Sequence, residues 1–162
     1  MKPDNKVKWT RMDNASKIFP ATTNNRDTKV FRFACELYDE VDPEILQKAL
    51  DITLDGFPLF KSVLRRGFFW YYFESSDLLP TVEIESEPVC AALYIKEKRN
   101  LLFRLFYFNN RINLEVFHAL TDGAGVIWFM ETLVYHYMTI KYKDIYLRIL
   151  RRSTTKLRLA KK

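Results

Sequence analysis

Glycine is scarce in this chain, at four of 162 residues. Scarcity limits left-handed tight turns, and it leaves little from which to build a phosphate-cradling loop. The only close pair, Gly123-Ala124-Gly125, lacks both the lysine and the length of such a loop. Cysteine is scarcer still. Cys35 and Cys90 are too few and too far apart for a zinc motif, and their apolar neighbours mark them as buried free thiols. Histidine occurs twice, at His118 and His136, with no metal-ligand spacing around either. No apolar run approaches the length of a membrane span. The start, MKPDNKVKW, has no apolar segment of the kind a secretory signal needs. A cytoplasmic, metal-free protein is the expectation.

What the chain has in excess is aromatic side chains, 15% of all residues, with thirteen Phe and nine Tyr. That content suits β-rich structure, an apolar cleft or a broad interface. The length allows one domain with a real core and makes two cramped. The formal charge of +6 is uneven, because residues 141–162 hold nine Lys or Arg against one acid, Asp144. The domain proper, 9–140, is therefore slightly acidic and the 141–162 segment is a basic helix or tail. Such a tail suits an acidic partner, anionic lipid or nucleic acid, or simply solubility. The aromatic run Phe68 to Phe73 has no interleaved cations beyond Arg65 and Arg66, so it reads as sheet core and no nucleic-acid partner is expected.

Periodicity gives an alternation of strands and helices. Trp9 to Pro20 mixes apolar anchors with polar residues and reads as a segment lying across the domain, with one helical turn at Asp13 to Lys17. Lys29 to Tyr38 alternates as a strand whose Phe31, Phe33, Cys35 and Leu37 face inward. Asp42-Pro43-Glu44 starts a helix, with Leu46, Ala49, Leu50, Thr53 and Leu54 on one stripe and Gly56 at its end. Ser62 to Arg65 and Phe68 to Glu74 read as strands, the second with two aromatic faces and so covered; Pro80 to Glu85 reads as a short edge strand. Asn100 to His118 predicts a hairpin turning at Asn109-Asn110, with Tyr107 opposite Ile112, Leu105 opposite Leu114, and Arg104 opposite Glu115. A long helix follows Asp122. Val126, Phe129, Met130, Leu133 and Tyr137 form its core stripe, widened by Ile127, Trp128 and Val134. Tyr142 to Leu150 predicts a second helix.

The junction between that hairpin and the long helix carries the chemistry. His118 continues the Ile112, Leu114, Val116 face and so points inward, whereas Phe117 points the other way. A histidine at a strand end, aimed into a cleft, can take a proton from an alcohol, amine or thiol attacking a carbonyl. The plainer alternative is a packed histidine beside an ordinary helix cap at Asp122. A thiol–imidazole pair of Cys35 with His118 has no flanking oxyanion loop and is set aside; His136 reads as a packing or surface residue.

His118-Ala119-Leu120-Thr121-Asp122-Gly123 resembles the H-x-x-x-D-G motif of the superfamily of chloramphenicol acetyltransferase, the condensation domains of nonribosomal peptide synthetases and alcohol acyltransferases. The order strand, motif, long helix resembles the family's own, over roughly residues 9–140, and RMDNASKIFPA is similar to the start of bacterial alcohol acetyltransferase-like members. The resemblance implies an α+β two-layer sandwich, a mostly antiparallel or mixed sheet with helices on one face. It implies His118 as general base, Asp122 as a structural residue paired to an arginine, and Gly123 keeping a tunnel open. It implies acyl-coenzyme A as co-substrate, an alcohol or amine as acceptor, and no metal. Phe117 stands where many members carry a second histidine. Members of the family are about twice this length and form their tunnel between two similar halves. This sequence supplies the first of them. Completion by a C-terminal half or by self-association is the expectation, with inactivity of the isolated chain if neither is present. The alternatives are a non-catalytic acyl- or lipid-binding or assembly domain of the same fold, and an unrelated basic-tailed interaction protein.

Overall fold

The computed structural model describes residues 9–147 apart from 15, 25, 97, 144 and 146. The elements run β1 (Trp9–Arg11), α1 (Ile18–Thr22), β2 (Val30–Glu36), α2 (Pro43–Gly56), a 3-10 turn (Pro58–Lys61), β3 (Ser62–Arg66), β4 (Tyr71–Ser75), β5 (Val82–Ile84), β6 (Phe103–Phe108), β7 (Arg111–Phe117) and α3 (Gly123–Lys141). Two sheets form, one ordered β2-β7-β6-β5 and the other β1-β4-β3. All pairings are antiparallel except that of β5 with β6. The helices α2 and α3 pack together on one face of the larger sheet, and the whole is a two-layer α+β sandwich.

The hairpin register is the one the alternation dictates, with Tyr107 opposite Ile112, Leu105 opposite Leu114, Phe103 opposite Val116 and Arg104 opposite Glu115. Asn109 takes a φ of 51° at the turn, a conformation asparagine tolerates better than most residues. Asp42 caps α2, its Oδ1 accepting from the backbone N–H groups of Glu44 and Ile45, each at 3.0 Å. The stripe Leu46, Ala49, Leu50, Thr53 and Leu54 is buried against α3 and the sheet. Tyr137, fully buried, ties the two helices together, its hydroxyl oxygen accepting from the Asp42 N–H at 2.9 Å. Phe57, Phe60, Phe103 and Phe129 fill the space below, with Phe60 stacked on Phe129 at 4.2 Å.

The sheet face away from the helices is built differently. Glu115 is fully buried on β7 between two arginines. Arg32 Nε donates to its Oε1 at 2.9 Å and Arg104 Nε to its Oε2 at 2.8 Å, and the Cys90 N–H donates to Oε1 at 2.7 Å. Arg32 Nη2 lies 2.7 Å from the same Oε1. It is off line for a hydrogen bond, so its contribution is charge proximity. Arg32 also donates to Glu85, which accepts from Arg111 at 3.3 Å and from Asn113 at 3.1 Å. The hydrogen bond from Arg32 holds the Glu85 carboxyl below its ordinary range. Phe106 underlies both arginines, 6.0 Å from the Arg32 guanidinium carbon and 5.0 Å from that of Arg104.

Several expectations need correction. Trp9–Arg11 is a strand in its own right, paired with β4. The turn expected at 13–17 becomes a helix only at Ile18–Thr22, after Asp13 Oδ1 has accepted from the Ser16 N–H. Phe68, Phe69 and Trp70 do not belong to a covered strand. They occupy the β3–β4 turn, closed by the Gly67 N–H donating to the Trp70 carbonyl at 2.7 Å, and Phe68 is 92% exposed. On α3 the inner stripe is buried as expected, but Ile127 and Trp128 are 45% and 67% exposed. Trp128 meets the core through Phe57 at 5.3 Å, and with Tyr135 and Met138 the two are exposed apolar side chains on an outer face that also carries Glu131. Of the predicted helix at 142–150, residues 144, 146 and 148–150 lie outside the described residues, as does the rest of the basic tail. Among the described residues no helix is long and apolar enough to cross a membrane.

Candidate functional site

The chain leaves β7 at Phe117 and makes one tight turn, with the Leu120 N–H donating to the Phe117 carbonyl at 2.9 Å, before α3 begins. His118 is the first residue of that turn. Its backbone is fixed to the neighbouring strand's entry, the N–H donating to the Lys29 carbonyl at 2.8 Å. Its half-buried imidazole lies on the Phe31 side, as strand phasing requires. The ring is stacked on Phe19 of α1 at 4.5 Å and 6° between planes, and sits 4.8 Å from Phe31. Among the described residues neither imidazole nitrogen has a hydrogen-bond partner. The ring is oriented by two aromatic neighbours and by its backbone.

Asp122 Oδ1 accepts from the Gly125 N–H at 2.9 Å and caps α3. No arginine pairs with the carboxylate among the described residues. The sheet arginine nearest the strand register of the motif, Arg32, is committed to Glu85 and Glu115. Among the described residues no hydrogen bond joins Asp122 to His118.

The glycines have distinct roles. A Cβ on Gly123 would meet nothing within 4 Å, so the space beside it is open. A Cβ on Gly125 would come within 2.0 Å of Thr121 Oγ1 and 3.3 Å of its Cβ. Gly125 is the position that the loop itself requires. Gly125→Ala forces Thr121 or the helix start to move and should cost about 1–3 kcal/mol, the usual range for overpacking. Gly123→Ala should cost nothing in stability, since alanine is the better helix former by up to about 1 kcal/mol. Thermal melts of the two variants check the contrast; equal losses would show that the crowding at Gly125 is relieved without strain.

The other candidates carry no chemistry here. Burial pushes both the Cys35 and the Cys90 thiol above the ordinary value, which disfavours the thiolate. His136 is half-buried, with the Tyr135 ring at 5.4 Å. Among the described residues no group of His, Cys, Asp and Glu could hold a metal ion. The residue that sequence reasoning missed is Phe19. It stood out only as one large apolar anchor in KIFPA, and nothing local marks it as the cover of an imidazole from a distant strand.

No protein-family model and no curated protein matches the sequence. Solved structures do. The starter condensation domain of rhizomide synthetase RzmA superposes with a TM-score of 0.69 at 10% identity, over 84% of this chain and 39% of that one. The chain carries a condensation-domain, chloramphenicol acetyltransferase-like fold. A variant of the same starter domain in complex with C8-CoA gives a TM-score of 0.66 at 9% identity, over 82% and 36%. Polyketide synthase associated protein 5 from Mycobacterium tuberculosis gives 0.62 at 16% identity, over 83% and 34%. The chain thus spans under two fifths of the length of these structures. Its fold corresponds to part of the condensation-domain fold.

Proposed function

We propose that the chain is the histidine-bearing half of an acyltransferase. It would move an acyl group from an acyl-coenzyme A thioester to an alcohol or amine, with His118 as general base. The observation that carries this reading is the His118 imidazole itself. It follows the end of β7 with neither nitrogen hydrogen-bonded among the described residues, at H-x-x-x-D-G spacing, in a condensation-domain fold. A starter domain of this fold in complex with C8-CoA supports a coenzyme A thioester as donor.

The steps balance without a further reactant. His118 takes the proton from the acceptor's O–H or N–H as that atom attacks the thioester carbonyl. The tetrahedral intermediate collapses with cleavage of the C–S bond, and the imidazolium returns the proton to the departing thiolate. Asp122 holds the start of α3 and takes no proton. Gly123 leaves room beside the turn for the acyl group. A second half or a second copy would supply the other wall of the cleft; the exposed Ile127, Trp128, Tyr135 and Met138 side chains lie on a surface that such a body could cover.

A non-catalytic acyl-binding or assembly domain is the second reading. The observation favouring it is the Phe19–His118–Phe31 stack, since aromatic rings on two sides restrict access to the imidazole. Incubation with acetyl-coenzyme A and a panel of alcohols and amines, with thiol release followed alongside native mass, separates the two. Thiol release dependent on acceptor supports transfer. Saturable acyl-chain binding without release by a self-associated chain supports the second reading; the same result from a monomer fits a half whose cleft is incomplete.

A further inference from the structure

Two adjoining clefts lie where α1 meets the β3–β4 sheet, and they share Arg66, Tyr94 and Lys96 as lining. The larger, about 600 Å³, is completed by Pro20 and Ala21 of α1 and by Tyr71. The smaller, about 330 Å³, adds Arg65, Tyr72 and Lys98. No Asp or Glu lines either one among the described residues. Glu97, between the two lysines in sequence, is not among them. Arg65 is engaged by Glu74 at 3.4 Å. The side chains of Arg66, Lys96 and Lys98 have no hydrogen-bond or ion-pair partner among the described residues. Cations around one concavity, with no Asp or Glu among its described lining residues, create a positive field that a multiply charged anion satisfies better than a single charge. Three tyrosines add faces on which a purine can stack. The volumes are those of a small-molecule site.

Two residues next in sequence to the candidate site's own connect it to the cleft. Pro20 and Ala21 follow directly on Phe19, the ring stacked on His118. Tyr94 stacks at 5.5 Å on Phe117, the residue before His118.

We propose that this groove binds the nucleotide end of coenzyme A, its diphosphate and 3′-phosphate on Arg66, Lys96 and Lys98 and its adenine against the tyrosines. The inference rests on the acyl-transfer reading for the rest of the ligand. It assigns the donor's polyanionic end to residues outside the motif, with the pantetheine arm leading past α1 toward His118. A carrier-bound arm would present one phosphodiester; the number of cations favours free coenzyme A.

The test is calorimetric titration of the full chain with 3′,5′-ADP, coenzyme A, 4′-phosphopantetheine and pantetheine. 3′,5′-ADP and coenzyme A should bind, more weakly as salt rises. Pantetheine should not. Lys96→Glu and Arg66→Glu should each weaken both nucleotide ligands by about tenfold or more, the scale of one lost charge-assisted contact. Lys48→Glu, an exposed cation on α2 outside the groove, should leave them unchanged. Absence of 3′,5′-ADP binding to the unsubstituted chain would overturn the proposal, as would equal weakening by Lys48→Glu. Equal affinity for 4′-phosphopantetheine and coenzyme A would overturn the nucleotide assignment in favour of a carrier-bound arm. Acetyl-pantetheine, which lacks phosphates, assays thiol release independently of the groove. Nucleotide binding without release from either thioester leaves the groove standing and fits an incomplete cleft or a non-catalytic domain, which native mass then separates.

Discussion

His118→Phe is expected to abolish acyl transfer while leaving the fold intact. The imidazole is held between Phe19 and Phe31 by ring contact and makes no side-chain hydrogen bond among the described residues. A phenyl ring can occupy the same slot, and aromatic pairs of this kind contribute about 0.5–1.5 kcal/mol each. What it cannot do is accept a proton. Removing a positioned general base lowers a rate by about 10²–10⁴-fold. His118→Ala should lose as much activity and, in addition, part of the stacking stability. The comparison matters because a merely structural histidine gives the reverse order, with phenylalanine nearly silent and alanine impaired through folding. Thiol release from acetyl-coenzyme A and a thermal melt for each variant decide between them. Wild-type rates in His118→Phe would take the residue out of the mechanism.

Glu115→Ala should be the most destabilising single substitution on the sheet. Its carboxylate is fully buried and balances Arg32 and Arg104, whose side chains are themselves only 14% and 20% exposed. Without it two guanidinium groups face each other across a sheet face, and the Cys90 N–H loses its acceptor. Breaking a buried ion pair from one side costs about 3–5 kcal/mol, a large share of the roughly 5–15 kcal/mol that keeps a typical domain folded. The intact cluster is not thereby a large net stabiliser. Bringing its charges out of water carries a desolvation cost of comparable size, so Glu115→Met combined with Arg104→Met should recover much of the loss. Urea unfolding of both proteins measures this. A double variant no more stable than Glu115→Ala would show that the ion pairs, and not the stranded charges, dominate.

That cluster also shows how far a sequence can be read. The pairing of Arg104 with Glu115 follows from the hairpin register, because both positions belong to one local element. The participation of Arg32, Glu85 and the Cys90 backbone does not, since each arrives from another part of the chain. Pro88 to Tyr94 gives no element from its sequence for the same reason. It has no periodicity. Its polar groups are satisfied from afar, with Thr28 Oγ1 donating to the Cys90 carbonyl at 2.8 Å while Cys90 adopts a φ of 56°. Helical spacing correctly located the buried stripes of α2 and α3, but hydrophobicity alone overextended the second to Ile127 and Trp128. Aromatic composition misplaced Phe68 to Trp70, because a strand facing a core and a bare hairpin tip can share a composition. At the candidate site, strand phasing put His118 on the correct side and the cap at Asp122 was legible from its neighbours. Phe19 was not, and neither was the lack of an arginine on Asp122 among the described residues.

All three tryptophans, Trp9, Trp70 and Trp128, are more than half exposed. The indole emission of the native chain therefore already comes from solvent-relaxed surroundings, and global unfolding should move its wavelength little. A body settling over the outer face of α3 or the β3–β4 tip would instead shift it to the blue. In this protein the intrinsic fluorescence spectrum is an indicator of surface coverage, readable without any label.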